Sequence, residues 1–167
     1  MHVVVMGVSA TGKTAVGKPL ARELDCEFVE GDSLHPRTNI EKMSRGIPLT
    51  DEDRWPWLQA IADLVAAKDS EGTSTVVTCS ALRRSYRKLL TDPAPAFFVH
   101  LDAPFEVLEG RMQHRRKHFM PTALLRSQFD TLEPLAADEP GAVIDVSAPL
   151  REVVEEAVNA VRVHYAE

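Results

Sequence analysis

The sequence predicts an α/β domain built on a parallel sheet with helices on both faces. Short apolar runs alternate with helical patterns along the whole chain, the order that builds parallel sheets. The first run, Val3–Met6, is apolar at every position, as a strand buried on both faces is. Directly after it, "GVSATGKT" (Gly7 to Thr14) fits G-x-x-x-x-G-K-[ST] at each fixed position, in the strand–loop–helix setting that this pattern requires.

Each element follows in turn. A helix is expected from Lys13 to Leu24, with Pro19 awkward inside it because proline removes a backbone bond. Glu27–Val29 reads as a second strand. A charged stretch follows, and then "WPWLQAIADLVAAK" carries Leu58, Ile61, Leu64 and Val65 at helical spacing, with Pro56 placed for a first turn. "DSEGTS" reads as a loop, "TVVTCS" as a strand and "ALRRSYRKLL" as a helix stopped by Asp92 and Pro93. "AFFVHL" is a strand, Pro104 opens a helix with Phe105, Leu108 and Met112 on one face, and a further helix spans Ala123 to Leu132. "AVIDVS" is the last strand. Pro149 opens a terminal helix whose inward set includes Val153, Ala157, Val158 and Val161. Repeats and linkers are absent, so residues 1–167 read as one domain.

Composition narrows the partners. Lys and Arg number 19 and Asp and Glu 25, so the formal charge is 19 − 25 = −6. That balance argues against a nucleic-acid binder, although a local basic patch can still take an anion. Cys26 and Cys79 are far apart and form no metal motif. They read as reduced thiols, and the cytoplasm is the expected location. The apolar start "MHVVVMGVSA" is too short to cross a membrane and has no charged leader. No membrane partner is expected.

The glycine motif carries the first chemistry. Its members Gly7, Val8, Ser9, Ala10, Thr11, Gly12, Lys13 and Thr14 are expected to wrap backbone amides round a phosphate at a helix N-terminus. Lys13 is expected to bridge the outer phosphates of ATP, and Thr14 to help hold Mg²⁺. A base-reading N-K-x-D is missing, and no D-x-x-G switch follows a strand, so the marks of a GTPase are not there. Instead "EGD", Glu30 to Asp32, follows the second strand, where ligands of parallel sheets bind. Asp32 can orient or accept the proton of an attacking hydroxyl; the competing reading is a helix cap. No Asp ends "TVVTCS", so the metal is left to Thr14, phosphates, water and Asp32.

Two basic clusters remain. His35, Arg37, Lys42, Arg45 and Arg54 follow Asp32 and can clamp an anionic acceptor; a solvated face is the plainer account, and the better one for Arg37. Arg54 stands beside Trp55 and Trp57, which suggests a held side chain next to packing anchors. "RMQHRRKH", Arg111 to His118, places Arg111 and Arg115 on one helical face. Cations on a closing lid are one use for it; bare surface or an RNA-binding patch are the others.

Together the pieces "VVVMGVSATGKT", "EGDSLHP", "NIEKMSRGIPLTDEDRWPWL", "CSALRRSYR", "HFMP" and "SQFDTLEP" resemble the gluconate kinases of the gluconokinase family, related in fold to shikimate and nucleoside monophosphate kinases. They stand in family order over nearly the whole chain. The resemblance implies a three-layer α/β/α P-loop kinase with a mostly parallel five-stranded sheet, a helical lid near 111–125, and commonly a homodimer. It implies transfer of the ATP γ-phosphate to the 6-hydroxyl of D-gluconate. By position, Asp32 resembles the acceptor-hydroxyl base and Arg54 the arginine at the acceptor's acid end. His35, Lys42 and Arg45 lie in the signature stretch, and Ser80 to Arg83 resembles the acceptor-pocket segment. Arg111 resembles the arginine packed on adenine, Arg115 with His118 resembles lid chemistry, and the "DVSAP" loop ending at Pro149 resembles the adenine-side loop. The family loop usually has glycine where this chain has Ala10. Another acceptor such as shikimate, or a nucleic-acid-binding regulator, is the competing function.

Overall fold

A computed structural model describes residues 1–114 and 122–166. Five strands form one sheet in the order β2-β3-β1-β4-β5: β1 His2–Met6, β2 Glu27–Glu30, β3 Thr75–Thr78, β4 Phe97–Asp102 and β5 Gly141–Asp145. All four pairings are parallel, so the sheet is wholly rather than mostly parallel. β1 and β3 are buried at every position. That is why they read as unbroken apolar or β-branched runs: helices cover both of their faces.

Among the described residues seven α-helices surround the sheet: α1 Lys13–Leu24, α2 Arg37–Ser44, α3 Asp51–Ser70, α4 Arg84–Thr91, α5 Phe105–Gln113, α6 Thr122–Thr131 and α7 Leu150–Tyr165. α1 packs on α7, and α3 on α4. α1 continues past Pro19 to Leu24. The Pro56 expectation is corrected. α3 begins at Asp51, because Thr50 and Asp53 form a reciprocal capping box, with Thr50 Oγ1 accepting from the Asp53 amide at 3.2 Å and Asp53 accepting from the Thr50 amide at 2.9 Å. Pro56 therefore lies inside the helix, and so does Arg54. The charged stretch also contains a 3₁₀ turn, Gly31–Leu34, and α2, neither of which periodicity exposes in so polar a segment. Both thiols are free: Cys79 is buried and Cys26 half-buried.

β1 lies at the centre of the sheet, and the strand order reverses around it. The carboxyl ends of β1, β2 and β3 therefore face one crevice, where α/β proteins bind their ligands.

Candidate active site

The phosphate loop is shaped by its backbone. The chain leaves β1 at Gly7, where φ is 149° and a Cβ would stand 2.6 Å from the Leu101 carbonyl oxygen. Ala10 sits in the left-handed region at φ 68°, a conformation that costs an L-residue roughly 1–2 kcal/mol. Thr11 is buried and donates to the Val8 carbonyl at 2.9 Å, which holds the loop's curve. Gly12 caps α1 at φ 85°. Lys13 Nζ donates to the Gly7 and Val8 carbonyls, each at 3.0 Å, so the ammonium lies across the loop.

Thr14 Oγ1 donates to Glu30 Oε2 at 2.6 Å, and Thr78 Oγ1 donates to Glu30 Oε1 at 2.5 Å. Sequence reasoning sought a carboxylate at the end of β3 and missed this one at the end of β2. The first acidic letter of "EGD" was the available signal. Because Glu30 takes the Thr14 proton, the lone pairs of that hydroxyl stay open to a hard cation. Among the described residues no group of three or more His, Cys, Asp or Glu could hold a metal. The oxygens of Thr14 and Glu30 suit Mg²⁺ in the way this ion is usually held, by few protein groups and by phosphates.

The wall of the crevice opposite the loop is built differently. The Gly31 amide donates to Thr78 Oγ1 at 3.1 Å, and its carbonyl accepts from Trp57 Nε1 at 2.8 Å. A Cβ at residue 31 would lie 1.9 Å from the Thr78 carbonyl oxygen. Only glycine lets the 3₁₀ turn press this closely on β3. The turn carries Asp32, whose side chain is exposed at the crevice. His35 is buried behind it, stacked on Trp57 with ring centroids 3.9 Å apart and planes at 16°. Asn39 Nδ2 donates to His35 Nδ1 at 3.2 Å and to the Asp53 carbonyl at 2.9 Å. The imidazole proton is thereby assigned to Nε2, which stands 3.8 Å from Asp32 Oδ1. Burial pushes the His35 pKa down; Asp32 opposes this and Arg54 adds to it. At neutral pH His35 is an uncharged donor facing Asp32.

Arg54 is buried and donates to Tyr86 Oη at 3.1 Å, and Tyr86 in turn donates to Asp51. Trp55 meets the edge of Tyr86 but is 37% exposed, so of the two tryptophans only Trp57 is a buried anchor. Ser9, Lys13, Asp32, His35, Arg54 and Ser80 line one cavity. Lys42, Arg45 and Arg83 do not line it. Lys42 reaches both Asp53 oxygens, at 3.0 and 2.8 Å, and this bond leads the effects that hold the Asp53 carboxyl at about 2. Arg45 and Arg83 are exposed just after α2 and just before α4, and Arg37 is exposed, 3.5 Å from Glu41.

On the other side of the phosphate loop, Arg111 donates to the Val146 carbonyl. The loop it touches ends at Pro149, the cap of α7. These two predicted nucleotide-side pieces are therefore in contact. Arg115 and His118, and with them the middle of the expected lid, lie outside the described residues. Sequence reasoning gave no role to Leu124, Ser127 and Gln128 of α6, which line the same cavity as Asp32. The signal for Ser127 and Gln128 was the "SQFDTLEP" motif, which does not include Leu124.

Comparison with known proteins places this geometry. A family model described as AAA domain matches residues 3–135. The thermoresistant gluconokinase of Escherichia coli (strain K12) is 43% identical over 161 residues, covering 95% of this chain and 92% of that protein. The gluconokinase of Gluconobacter oxydans (strain 621H) is 53% identical over 146 residues, covering 87% and 81%. A crystal structure of a gluconokinase from Sinorhizobium meliloti 1021 superposes with a TM-score of 0.88 at 48% identity, covering 96% of this chain and 90% of that one.

Proposed function

The chain belongs to the gluconokinase family of P-loop kinases, and from that premise we propose that it phosphorylates D-gluconate with ATP to give 6-phospho-D-gluconate. The observation that carries the proposal is the shared cavity. Lys13 of the phosphate loop, the Asp32 carboxylate and the buried Arg54 guanidinium line one space, as transfer from a nucleotide to a hydroxy acid requires.

The roles follow from the chemistry. Arg54, fixed by Tyr86, takes the gluconate carboxylate, since a guanidinium matches a carboxylate with paired N–H groups. Asp32 accepts the proton of the 6-hydroxyl as that oxygen attacks the γ-phosphorus. The new O–P bond forms as the β–γ bridging bond breaks, and ADP leaves with the bridging oxygen. His35 Nε2–H steadies the Asp32 carboxylate. The amides of Val8 to Thr14 and the Lys13 ammonium hold the phosphates, and Lys13 offsets charge that builds in the transition state. Mg²⁺ would be held by Thr14, with Glu30 beside it, and would neutralise phosphate charge. Ser80 joins the acceptor side. Arg111 and the loop ending at Pro149 form the adenine side, and Arg115 supplies lid charge from the 111–125 segment.

The proposal extends to one domain over residues 1–167, a homodimer and a cytoplasmic location. No helix among the described residues is long and apolar enough to cross a membrane, and the charge of −6 disfavours nucleic acid as a partner. The test is an acceptor panel with ATP and Mg²⁺. Gluconate is expected to give a sugar-acid phosphate and ADP in equal amounts, with shikimate and adenylate inert. Turnover of either of those, with gluconate inert, refutes the proposal.

A further inference from the structure

Gln128 stands at the meeting point of the phosphate loop and the acceptor cavity, and neither the motif logic nor the proposed mechanism uses it. Its Oε1 accepts from the Ser9 amide at 2.7 Å and from Ser9 Oγ at 3.0 Å. A backbone N–H can only donate, so the oxygen end of the carboxamide must face the loop. The Nε2 end, with its two N–H groups, then points away from Ser9. Among the described residues it has no hydrogen-bond partner, while the side chain lines the cavity with Asp32, Arg54 and Ser80.

The helix beneath it is held firmly. Leu124 and Leu125 are buried, and Phe129 packs edge-on against Phe105 with centroids 5.5 Å apart. Just past α6 the Glu133 amide donates to the Leu82 carbonyl at 2.6 Å. Arg87, itself buried, then ties Glu139 at 2.6 Å and the Ala81 carbonyl at 2.8 Å. A donor on so fixed a helix is aimed rather than merely available.

We propose that Gln128 binds the acceptor: its Nε2 donates to a hydroxyl of the sugar acid while its Oε1 stays locked to Ser9. The assignment rests on the gluconate reading given above. It supplies what Asp32 and Arg54 do not, a neutral group that reads the hydroxyls between the two ends of the acceptor. A site that hydrogen-bonds a substrate hydroxyl rejects analogues lacking it. The bond to Ser9 also places this reader in register with the phosphate loop.

Gln128→Leu and Gln128→Ala, the second in case the first fails to fold, test this with steady-state kinetics on gluconate and its monodeoxy analogues. The variants are expected to raise the gluconate KM about tenfold, the size of one hydrogen bond, and to move the ATP KM less than about threefold, well under one such bond. One monodeoxy analogue is expected to be about tenfold poorer than gluconate for the wild type and no poorer than gluconate for the variants. A structural role alone does not produce that loss of discrimination. If the ATP KM rises and the gluconate KM stays put, or if every deoxy penalty survives, Gln128 only braces the loop and the assignment fails. A wild type inert on gluconate refutes the substrate reading and this assignment together; an active wild type with unaltered variants refutes this assignment alone.

Discussion

The phosphate loop and the acceptor wall face each other across one crevice and are made of different material. The loop is eight consecutive residues, Gly7 to Thr14, whose chemistry is mostly backbone amide and helix N-terminus. The wall is side chains drawn from the 3₁₀ turn, α3, the loop after β3, and α6. Each of its groups is set by a neighbour: Asp32 by His35, His35 by Asn39 and Trp57, Arg54 by Tyr86. A contiguous backbone device binds what all nucleotides share. A dispersed side-chain device can distinguish one acceptor from another. On this account, damage to the wall should alter chemistry and acceptor choice while nucleotide binding persists.

The largest expected effect separates the two regions cleanly. Asp32→Asn should cut turnover by roughly 10³-fold, within the usual span for loss of a general base, while calorimetry shows ATP affinity within about twofold of wild type, because uncharged backbone and Lys13 still hold the phosphates. An unchanged rate removes the proposed role of Asp32. Gly31→Ala strikes the frame of the wall. A methyl 1.9 Å from a backbone oxygen forces the turn off β3, and denaturant unfolding should register a loss of about 3 kcal/mol.

The contrast in material also explains what the sequence made legible. The loop could be read in full because its residues are neighbours in the chain and their order is the mechanism. Most elements were readable from apolar runs and helical spacing, since burial sets both. The wall was legible only at Asp32, His35, Arg54 and Ser80, and partly through family resemblance. Glu30 was passed over because its meaning lies in a contact with Thr14 on another element. Lys42 was a candidate acceptor cation by its place in the charged stretch, and its ion pair with Asp53, outside the cavity lining, was not readable there. The start of α3 was missed because Trp-Pro-Trp drew the boundary, when Thr50 and Asp53 set it.

Smaller effects sharpen the comparison on the loop side. Glu30→Gln keeps the size of the side chain and removes its charge from Thr14. It should raise the Mg²⁺ concentration needed for half-maximal rate about tenfold, in the range of outer-shell changes at metal sites. Acceptor KM at saturating Mg²⁺ should stay within about twofold, since nothing that touches the acceptor has changed. Ala10→Gly should do least. It relieves a left-handed backbone at φ 68° but adds freedom to the unfolded chain, so thermal unfolding should show a gain of no more than about 1 kcal/mol.

The central claim is that buried Arg54 makes this wall a reader of acids. The direct measurement is kcat/KM for gluconate and for glucitol, the same carbon chain without the carboxylate, in the wild type and in Arg54→Leu. The wild type is predicted to favour gluconate by about a hundredfold or more, the scale of a desolvated charge-assisted pair. Arg54→Leu is predicted to bring the ratio within about threefold of unity, by loss of that pair. A ratio that survives the substitution contradicts the account, because the acid would then be read elsewhere.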